Sequence, residues 1–394
     1  MYRTKFFGLF LAIAVLLFGS GYWLYQRPLP IVQAEVMISQ TPTSKAIKLP
    51  WPSYGQAALG AVGFGVLEKN NASKPAPIAS IAKAITALAI LKEKPLQLGQ
   101  KGPLITITEA DVQLYGDYLA KDGSVLPISV GQQISQYQAL QAMMLPSANN
   151  IADTAASWAF GSVEDYVNYA NQFVRNLGMK QTAVADASGF SPKTVSTAED
   201  LVILGGAVLE NPVLSGIVNQ SEATFPGVGL VKNVNWLLGT DWILGIKTGQ
   251  TDEAGGCYLF GAKRTVAGQT VTVIGAILGA PTRNVAMEHS RTLIQATDSG
   301  FEVVTAVRAN QTIGHYSLPW GGTVSAVAAG ELKVLNWKGD AIVTDINLSD
   351  LAVPNVQNSA VGSVKAGSGD SSKSVSVVLS QQAVAPSWTW RLIR

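Results

Sequence analysis

An uncharged apolar run from Phe6 to Tyr25 begins the sequence, and it follows the positive charges of Arg3 and Lys5. The run reaches the roughly 20 residues that a helix needs to cross a bilayer, and it is longer than the apolar core of about 7 to 15 residues usual in signal peptides. Trp23 near its far end matches the aromatic belt of membrane interfaces. We therefore expect an uncleaved membrane anchor, with a cleaved signal and a buried core helix as the alternatives.

Four segments follow from the distribution of proline and of apolar residues. We predict an anchor or signal segment at 1–27, an extended proline-containing linker at 28–50, a mixed α/β domain at 51–308 and an all-β domain at 309–394. Positive charge before the apolar run keeps the short tail in the cytoplasm, so the remainder is expected outside the membrane. The last helix of the α/β domain is predicted from about Val285 to Thr305.

Composition excludes several classes of site. Lysine and arginine number 28 against 26 aspartate and glutamate, and this near balance argues against a nucleic-acid partner held by its phosphates. Cys257 is the single cysteine, so neither an intrachain disulfide nor a cysteine-based zinc site can form. His289 and His315 are the only histidines, too few for a metal site of several imidazoles. We accordingly predict no cofactor and no metal.

Ser80 and Lys83 lie one helical turn apart in the apolar segment "PIASIAKAITALAI". Side chains at i and i+3 share one face of a helix, and a serine becomes a good nucleophile when a neighbouring base takes its proton. An apolar, desolvated site lowers the pKa of a lysine and so favours the neutral amine that can act as this base. The pair alone could equally be a helix cap and a solvated lysine.

Two further motifs follow in the same chain. Ser147 and Asn149 form a Ser-x-Asn triplet in "MLPSANN", and Lys247, Thr248 and Gly249 form a Lys-Thr-Gly triplet in "GIKTGQT". The order Ser-x-x-Lys, Ser-x-Asn, Lys-Thr-Gly is the signature of penicillin-binding proteins and class A β-lactamases. The three elements together favour a serine acyltransferase site.

On these motifs, and on segments such as "ALQAMMLPSANNIADTAA" and "DASGFSPKTVSTAEDLVILGGAVLENP", residues 51–308 resemble the serine-type D-Ala-D-Ala carboxypeptidases, which are low-molecular-mass penicillin-binding proteins. The resemblance implies an α/β catalytic domain of the penicillin-binding/β-lactamase type, with an antiparallel sheet flanked by helices and a helical subdomain. A small all-β domain follows in many members. The implied substrates are peptidoglycan stem peptides, the implied covalent inhibitors are β-lactams, and the implied location is extracytoplasmic, anchored to the bacterial membrane or secreted.

The resemblance also implies a role for each motif residue. Ser80 is the expected nucleophile, Lys83 its base, and Ser147 and Asn149 the second catalytic element. The residues expected to bind the substrate carboxylate or to line its site are Lys247, Thr248, Gly249, Gln250 and Arg283.

Gln250 departs from the family pattern, in which a histidine often stands at this position. The implied oxyanion hole uses the backbone N–H groups of Ser80 and Gln250, so we expect altered substrate preference and retained activity. Arg283 in "GAPTRN" is expected to be either a second cation for the carboxylate or a surface residue at a helix start.

Other functions stay open at this point. A D,D-endopeptidase would use the same serine on a cross-linked peptide. A class A β-lactamase would need a glutamate that activates the deacylating water, and the candidate pair Glu164 and Asn168 follows Asn149 closely in a strongly helical stretch. A non-catalytic wall-binding protein would have no need of a nucleophile with its base.

Overall fold

A computed structural model describes residues 2–37, 44–369 and 371–394. They form two compact units, one of residues 46–302 and one that joins residues 1–45 to 303–394. The predicted domain limits at 51–308 and 309–394 stay predictions.

The helices in the described residues are α1 (Tyr2–Gln26), α2 (Ala82–Glu93), α3 (Glu109–Leu119), α4 (Gln136–Met144), α5 (Asn149–Phe160), α6 (Val163–Asn176), α7 (Ala198–Glu210), α8 (Pro212–Val218), α9 (Arg283–Gly300) and α10 (Trp388–Ile393), with a short 3₁₀ helix at Ala79–Ile81. The strands are β1 (Ala34–Val36), β2 (Gln56–Ala61), β3 (Gly65–Asn70), β4 (Ala76–Pro77), β5 (Leu104–Thr106), β6 (Gln133–Ser135), β7 (Val195–Ser196), β8 (Glu222–Phe225), β9 (Gly229–Lys232), β10 (Ile243–Thr251), β11 (Gly255–Val266), β12 (Gln269–Ala280), β13 (Phe301–Val307), β14 (Thr312–Ser317), β15 (Thr323–Ala328), β16 (Leu332–Trp337), β17 (Val343–Leu348), β18 (Ala360–Ser368) and β19 (Ser371–Leu379).

The unit of residues 46–302 is built on a five-stranded antiparallel sheet in the order β10-β11-β12-β2-β3. Every residue of β2 is buried, so this strand is covered on both faces. Helices α7 and α9 pack against the sheet. Strand β10 is an edge strand among the described residues, and one side of its backbone therefore stays free for an extended ligand.

Helix α2 runs through the centre of the helical part of this unit. All its residues from Ala82 to Leu91 are buried, and it packs against α4, α5, α6 and α7. Because its apolar and small residues surround the whole helix, α2 can be enclosed on every side. An antiparallel sheet flanked by helices, a helical subdomain and a β-rich second unit confirm the predicted fold class.

The second unit contains a six-stranded antiparallel sheet in the order β1-β14-β15-β19-β18-β17. Part of the segment predicted as a linker, 28–50, belongs to this sheet, since β1 pairs with β14 and places Ala34 opposite Tyr316. A three-residue strand is too short to give a periodic signal in sequence. Residues 38–43 of the predicted linker lie outside the described residues.

The predicted end of the last helix is wrong. Helix α9 ends at Gly300, and β13 follows at once and pairs with β16. The β-branched residues 303–305 fit a strand better than a helix once a partner strand is available.

In the described part of the chain, α1 is the single continuous helix long and apolar enough to cross a membrane, with a mean hydropathy of 2.0 over its most apolar stretch and none of that stretch buried. The bent pair of α7 and α8 passes the same test only as one broken span. Its apolar side chains, Leu201, Leu204 and Leu214 among them, are buried in the core.

Candidate active site

Ser80 lies in the 3₁₀ helix that leads directly into α2, half-buried and facing a cleft of about 420 Å³. The preceding Ala79 has a left-handed φ of 46°, a conformation that costs a non-glycine residue about 1 to 3 kcal/mol. Two glycines, Gly189 and Gly249, allow their segments of the chain to pack closely against Ala79 and Ser80. A Cβ on Gly189 would lie 1.9 Å from the Ala79 carbonyl oxygen, and one on Gly249 would lie 3.1 Å from the Ser80 amide nitrogen.

Lys83 is fully buried, and its Nζ has three neighbours: Ser80 Oγ at 2.9 Å, Asn149 Oδ1 at 2.6 Å and the Ser188 carbonyl oxygen at 2.8 Å. Burial lowers the pKa of Lys83 from 10.5 to about 7, although the charges of Asp186 and Asp153 act to raise it. Two of the three neighbours can only accept, so they take both hydrogens of a neutral amine and leave its lone pair for the Ser80 hydroxyl. The geometry therefore suits a base directed at Ser80.

Asn149 is the first residue of α5, yet its side chain does not cap that helix. The N-cap position is Ala148, which makes no side-chain hydrogen bond, while Asn149 Oδ1 accepts from Lys83. Its backbone N–H donates to the Ser124 carbonyl at 2.7 Å, which fixes the start of the helix. The Asn149 side chain therefore serves Lys83 and not the helix terminus.

Ser147 has a left-handed φ of 69°, and its Oγ accepts a hydrogen bond from Lys247 Nζ at 3.0 Å. Lys247 is buried, and its pKa lies well below the ordinary value because of burial and the positive charges of Lys83 and Arg283. The second and third motifs thus meet at one hydrogen bond. The positive charge of Arg283 acts on Lys247 of this hydrogen bond. The buried Nε of Arg283 has no hydrogen-bond partner in the described residues.

Thr248 and Gly249 are buried in β10, and Gln250 follows as an exposed residue that lines the cleft. The Gln250 side chain accepts a hydrogen bond from the Arg283 backbone N–H at 2.9 Å, at the first residue of α9. The residue that replaces the family's histidine therefore holds the start of this helix beside the cleft.

The remaining residues considered from sequence lie outside the cleft. Cys257 is buried on β11, opposite Gly249, and burial raises the pKa of its thiol to about 12, which makes it unreactive. His289 Nδ1 contacts the Tyr54 hydroxyl, and His315 pairs with Glu35 in the second unit. Glu164 is exposed in the first turn of α6, as expected for a solvated acid. Within the described residues, no three histidine, cysteine or acidic side chains are grouped as metal ligands.

Sequence reasoning missed a group of polar residues behind Lys83. Asp153 follows Asn149 by one helical turn and therefore shares its face of α5. Ser188 and Asp186 belong to the loop that supplies the carbonyl acceptor of Lys83. The Tyr118 hydroxyl on α3 forms hydrogen bonds with the side chains of Asp153 and Ser188. The four-residue spacing from Asn149 is the one local signal that could have drawn attention to Asp153.

The sequence and the fold match known proteins. A family model described as D-alanyl-D-alanine carboxypeptidase matches residues 62–282. The chain is 27% identical over 314 residues to D-alanyl-D-alanine carboxypeptidase DacA of Escherichia coli (strain K12), with 76% of this chain and 75% of that protein covered. It is 32% identical over 201 residues to a D-alanyl-D-alanine endopeptidase of Pseudomonas aeruginosa, with 49% and 62% covered.

Among solved structures, penicillin binding protein 5 from Haemophilus influenzae matches with a TM-score of 0.62 and 21% identity, over 86% of this chain and 100% of that one. At this identity the likeness establishes the fold.

Proposed function

The chain belongs to the D-alanyl-D-alanine carboxypeptidase family, and we propose that Ser80 is the nucleophile through which this serine carboxypeptidase removes the terminal D-alanine from peptidoglycan stem pentapeptides. The observation that carries the assignment is the set of three contacts around Lys83 Nζ. They support a neutral amine whose lone pair is directed at the Ser80 hydroxyl.

Acylation begins when Ser80 Oγ attacks the carbonyl carbon of the penultimate D-alanine and its proton passes to Lys83. The tetrahedral intermediate collapses as the bond to the terminal D-alanine nitrogen breaks, and that nitrogen receives a proton relayed through Ser147. Asn149 orients Lys83 and binds an amide of the substrate. Water then hydrolyses the ester and frees Ser80 for the next cycle.

The negative charge on the intermediate is held by the backbone N–H groups of Ser80 and Gln250. The close approach of Gly249 to the Ser80 amide supports this pairing, since it brings the end of β10 beside the nucleophile. Two backbone donors fixed by packing stabilise a developing oxyanion without reorganisation.

The terminal carboxylate binds Lys247 and Thr248, with Arg283 as the second cation. Lys247 and Arg283 repel each other in the free protein, and their mutual effect helps to lower the pKa of Lys247. A carboxylate placed between them replaces repulsion by two charge-assisted hydrogen bonds. This supports the choice of a carboxylate as ligand and of Arg283 as a binding residue.

The protein acts on peptidoglycan, outside the cytoplasm, and α1 anchors it to the bacterial membrane. The length and apolar surface of α1 support this placement, and the charges of Arg3 and Lys5 support the orientation. β-Lactams acylate Ser80 as analogues of the acyl-D-Ala-D-Ala group.

A comparison of two substrates tests the assignment. Amidation of the carboxylate of a D-Ala-D-Ala peptide should lower kcat/KM, because a charge-assisted hydrogen bond is lost. The decrease should correspond to about 2 to 3 kcal/mol of activation free energy. Product masses from a pentapeptide and a cross-linked dimer are measured in parallel, with Ser80→Ala as the inactive control. Equal turnover of acid and amide, with cleavage of the dimer, would instead favour the endopeptidase activity named for the Pseudomonas aeruginosa relative.

A further inference from the structure

A chain of hydrogen-bonded polar groups lies next to Lys83, with Asp153 and Ser188 buried and Tyr118 half-buried. Tyr118 donates to Asp153 Oδ2 at 2.7 Å, and its hydroxyl lies 3.2 Å from Ser188 Oγ. The carbonyl oxygen of the same Ser188 accepts from Lys83 Nζ. Ser188 thus contacts the Lys83 amine through its backbone carbonyl and Tyr118 through its side chain.

Asp153 and Asp186 stand at the two ends of this chain, and their environments differ. Asp186 accepts hydrogen bonds from the Ser188 and Thr194 hydroxyls and from two backbone N–H groups, and it thereby fixes its own loop. Asp153 accepts from Tyr118 alone, and its buried Oδ1 has no hydrogen-bond partner in the described residues. Asp153 therefore contributes little to fixing the local backbone, in contrast to Asp186.

Burial raises the pKa of Asp153 to about 6, and the hydrogen bond from Tyr118 and the charge of Lys83 oppose that rise. The charges of Asp186 and Asp153 in turn favour the ammonium form of Lys83. A negative charge at Asp153 is therefore most useful when Lys83 has just become positive, which is the moment of acylation.

We propose, on the basis of the catalytic roles assigned above, that Asp153 is a positioning residue whose carboxylate stabilises the positive charge that Lys83 acquires when it takes the proton of Ser80. Tyr118 and Ser188 connect the two groups. The proton itself stays between Ser80 Oγ and Lys83 Nζ, and Asp153 acts through its charge and through the Tyr118–Ser188 contact.

The titratable and charged groups that face Lys83 and Asp153 from the surrounding elements are Asp186 in the loop after α6, Lys247 on β10, Tyr118 and Asp111 on α3, and Tyr166 on α6. Burial raises the pKa of both tyrosines, so they stay neutral at working pH. Lys247 is unchanged in all the variants below, so its side chain is present in every protein that is compared.

The test is the pH profile of the second-order rate of penicillin acylation, measured on the detergent-solubilised full chain. Acylation rises with pH as Lys83 loses its proton. Asp153→Asn removes a negative charge that raises the pKa of Lys83, so the midpoint of the rise should move to lower pH by about one pH unit. The alkaline plateau should fall several-fold, because the ammonium formed during acylation is less stabilised.

Tyr118→Phe should move the midpoint in the same direction by a smaller amount. Without the tyrosine hydroxyl the pKa of Asp153 rises further, and its charge is present over a narrower pH range. Asp111→Asn is the matched control. It removes the negative charge from the side chain that accepts from Thr154, the residue after Asp153, and it weakens the cap of α3, but Asp111 is not among the groups that shift the pKa of Lys83.

A fall in rate at every pH without movement of the midpoint in Asp153→Asn would overturn the proposal, since a purely structural role predicts that result. If Asp153→Asn does not fold, an unmoved midpoint in Tyr118→Phe overturns it equally. A wild-type chain that penicillin does not acylate at Ser80 would overturn the assigned catalytic roles and this proposal together.

Discussion

Replacement of Lys83 by methionine should reduce the increase of unfolding free energy with pH between neutral and alkaline pH. Burial lowers the pKa of Lys83 from 10.5 to about 7 in the folded protein. Between these values the unfolded chain carries a proton on this side chain and the folded chain does not. The free energy of unfolding of the wild-type protein therefore rises with pH, by about 1.4 kcal/mol per pH unit from this group. Methionine binds no proton and contributes no such slope.

Between about pH 7.5 and about pH 9.5 the wild-type protein should gain about 3 kcal/mol of unfolding free energy relative to Lys83→Met. Urea unfolding of the detergent-solubilised full chains at the two pH values measures this difference. Titrating groups common to both proteins cancel, apart from two whose pKa values the charge of Lys83 lowers, Lys247 and Asp153. The pKa of Lys247 rises when Lys83 is removed, so its own slope in the variant becomes smaller. The pKa of Asp153 also rises, so the variant loses stability with pH as that carboxyl ionises, and both effects add to the difference in the same direction.

Lys92→Met, on the exposed last turn of the same helix, is the control and should keep the wild-type pH dependence. Should Lys83→Met also keep it, Lys83 would be protonated in the folded protein throughout this range. Lys83 could then not serve as a neutral base.

Two further predictions concern packing and topology. Gly249→Ala should slow penicillin acylation about tenfold by displacing the nucleophile, because its Cβ would lie 3.0 Å from Ala79 Cβ and 3.1 Å from the Ser80 amide nitrogen. Gly216→Ala at an exposed position of α8, where nothing lies within 4 Å of the added Cβ, should leave the rate unchanged, and equal rates in the two variants would contradict this explanation. Deletion of residues 1–27 should release a soluble protein that still binds penicillin, and fractionation with the membrane would point to a second anchor.

The sequence by itself determined the family and predicted the motif residues of the site. Three short motifs in a fixed order identify the acylation chemistry, because the Ser80 and Lys83 spacing on one helix face is a local property of the chain. The apolar run at the amino terminus and the β-branched runs beyond residue 310 are likewise local signals. The fold class that the family resemblance implied was confirmed.

Tertiary structure decided what these residues can do. Lys83 meets Asn149 and Ser188 across 66 and 105 positions of sequence, and burial by the surrounding helices lowers its pKa. Gln250 holds the start of α9 from 33 positions away. Asp153 gains its place near Lys83 only when α3, α5 and the loop of Ser188 come together. The apolar segment around Lys83 indicated a desolvated site, but contacts between residues far apart in sequence exist only in the folded chain, and nothing local in the sequence specifies which groups meet.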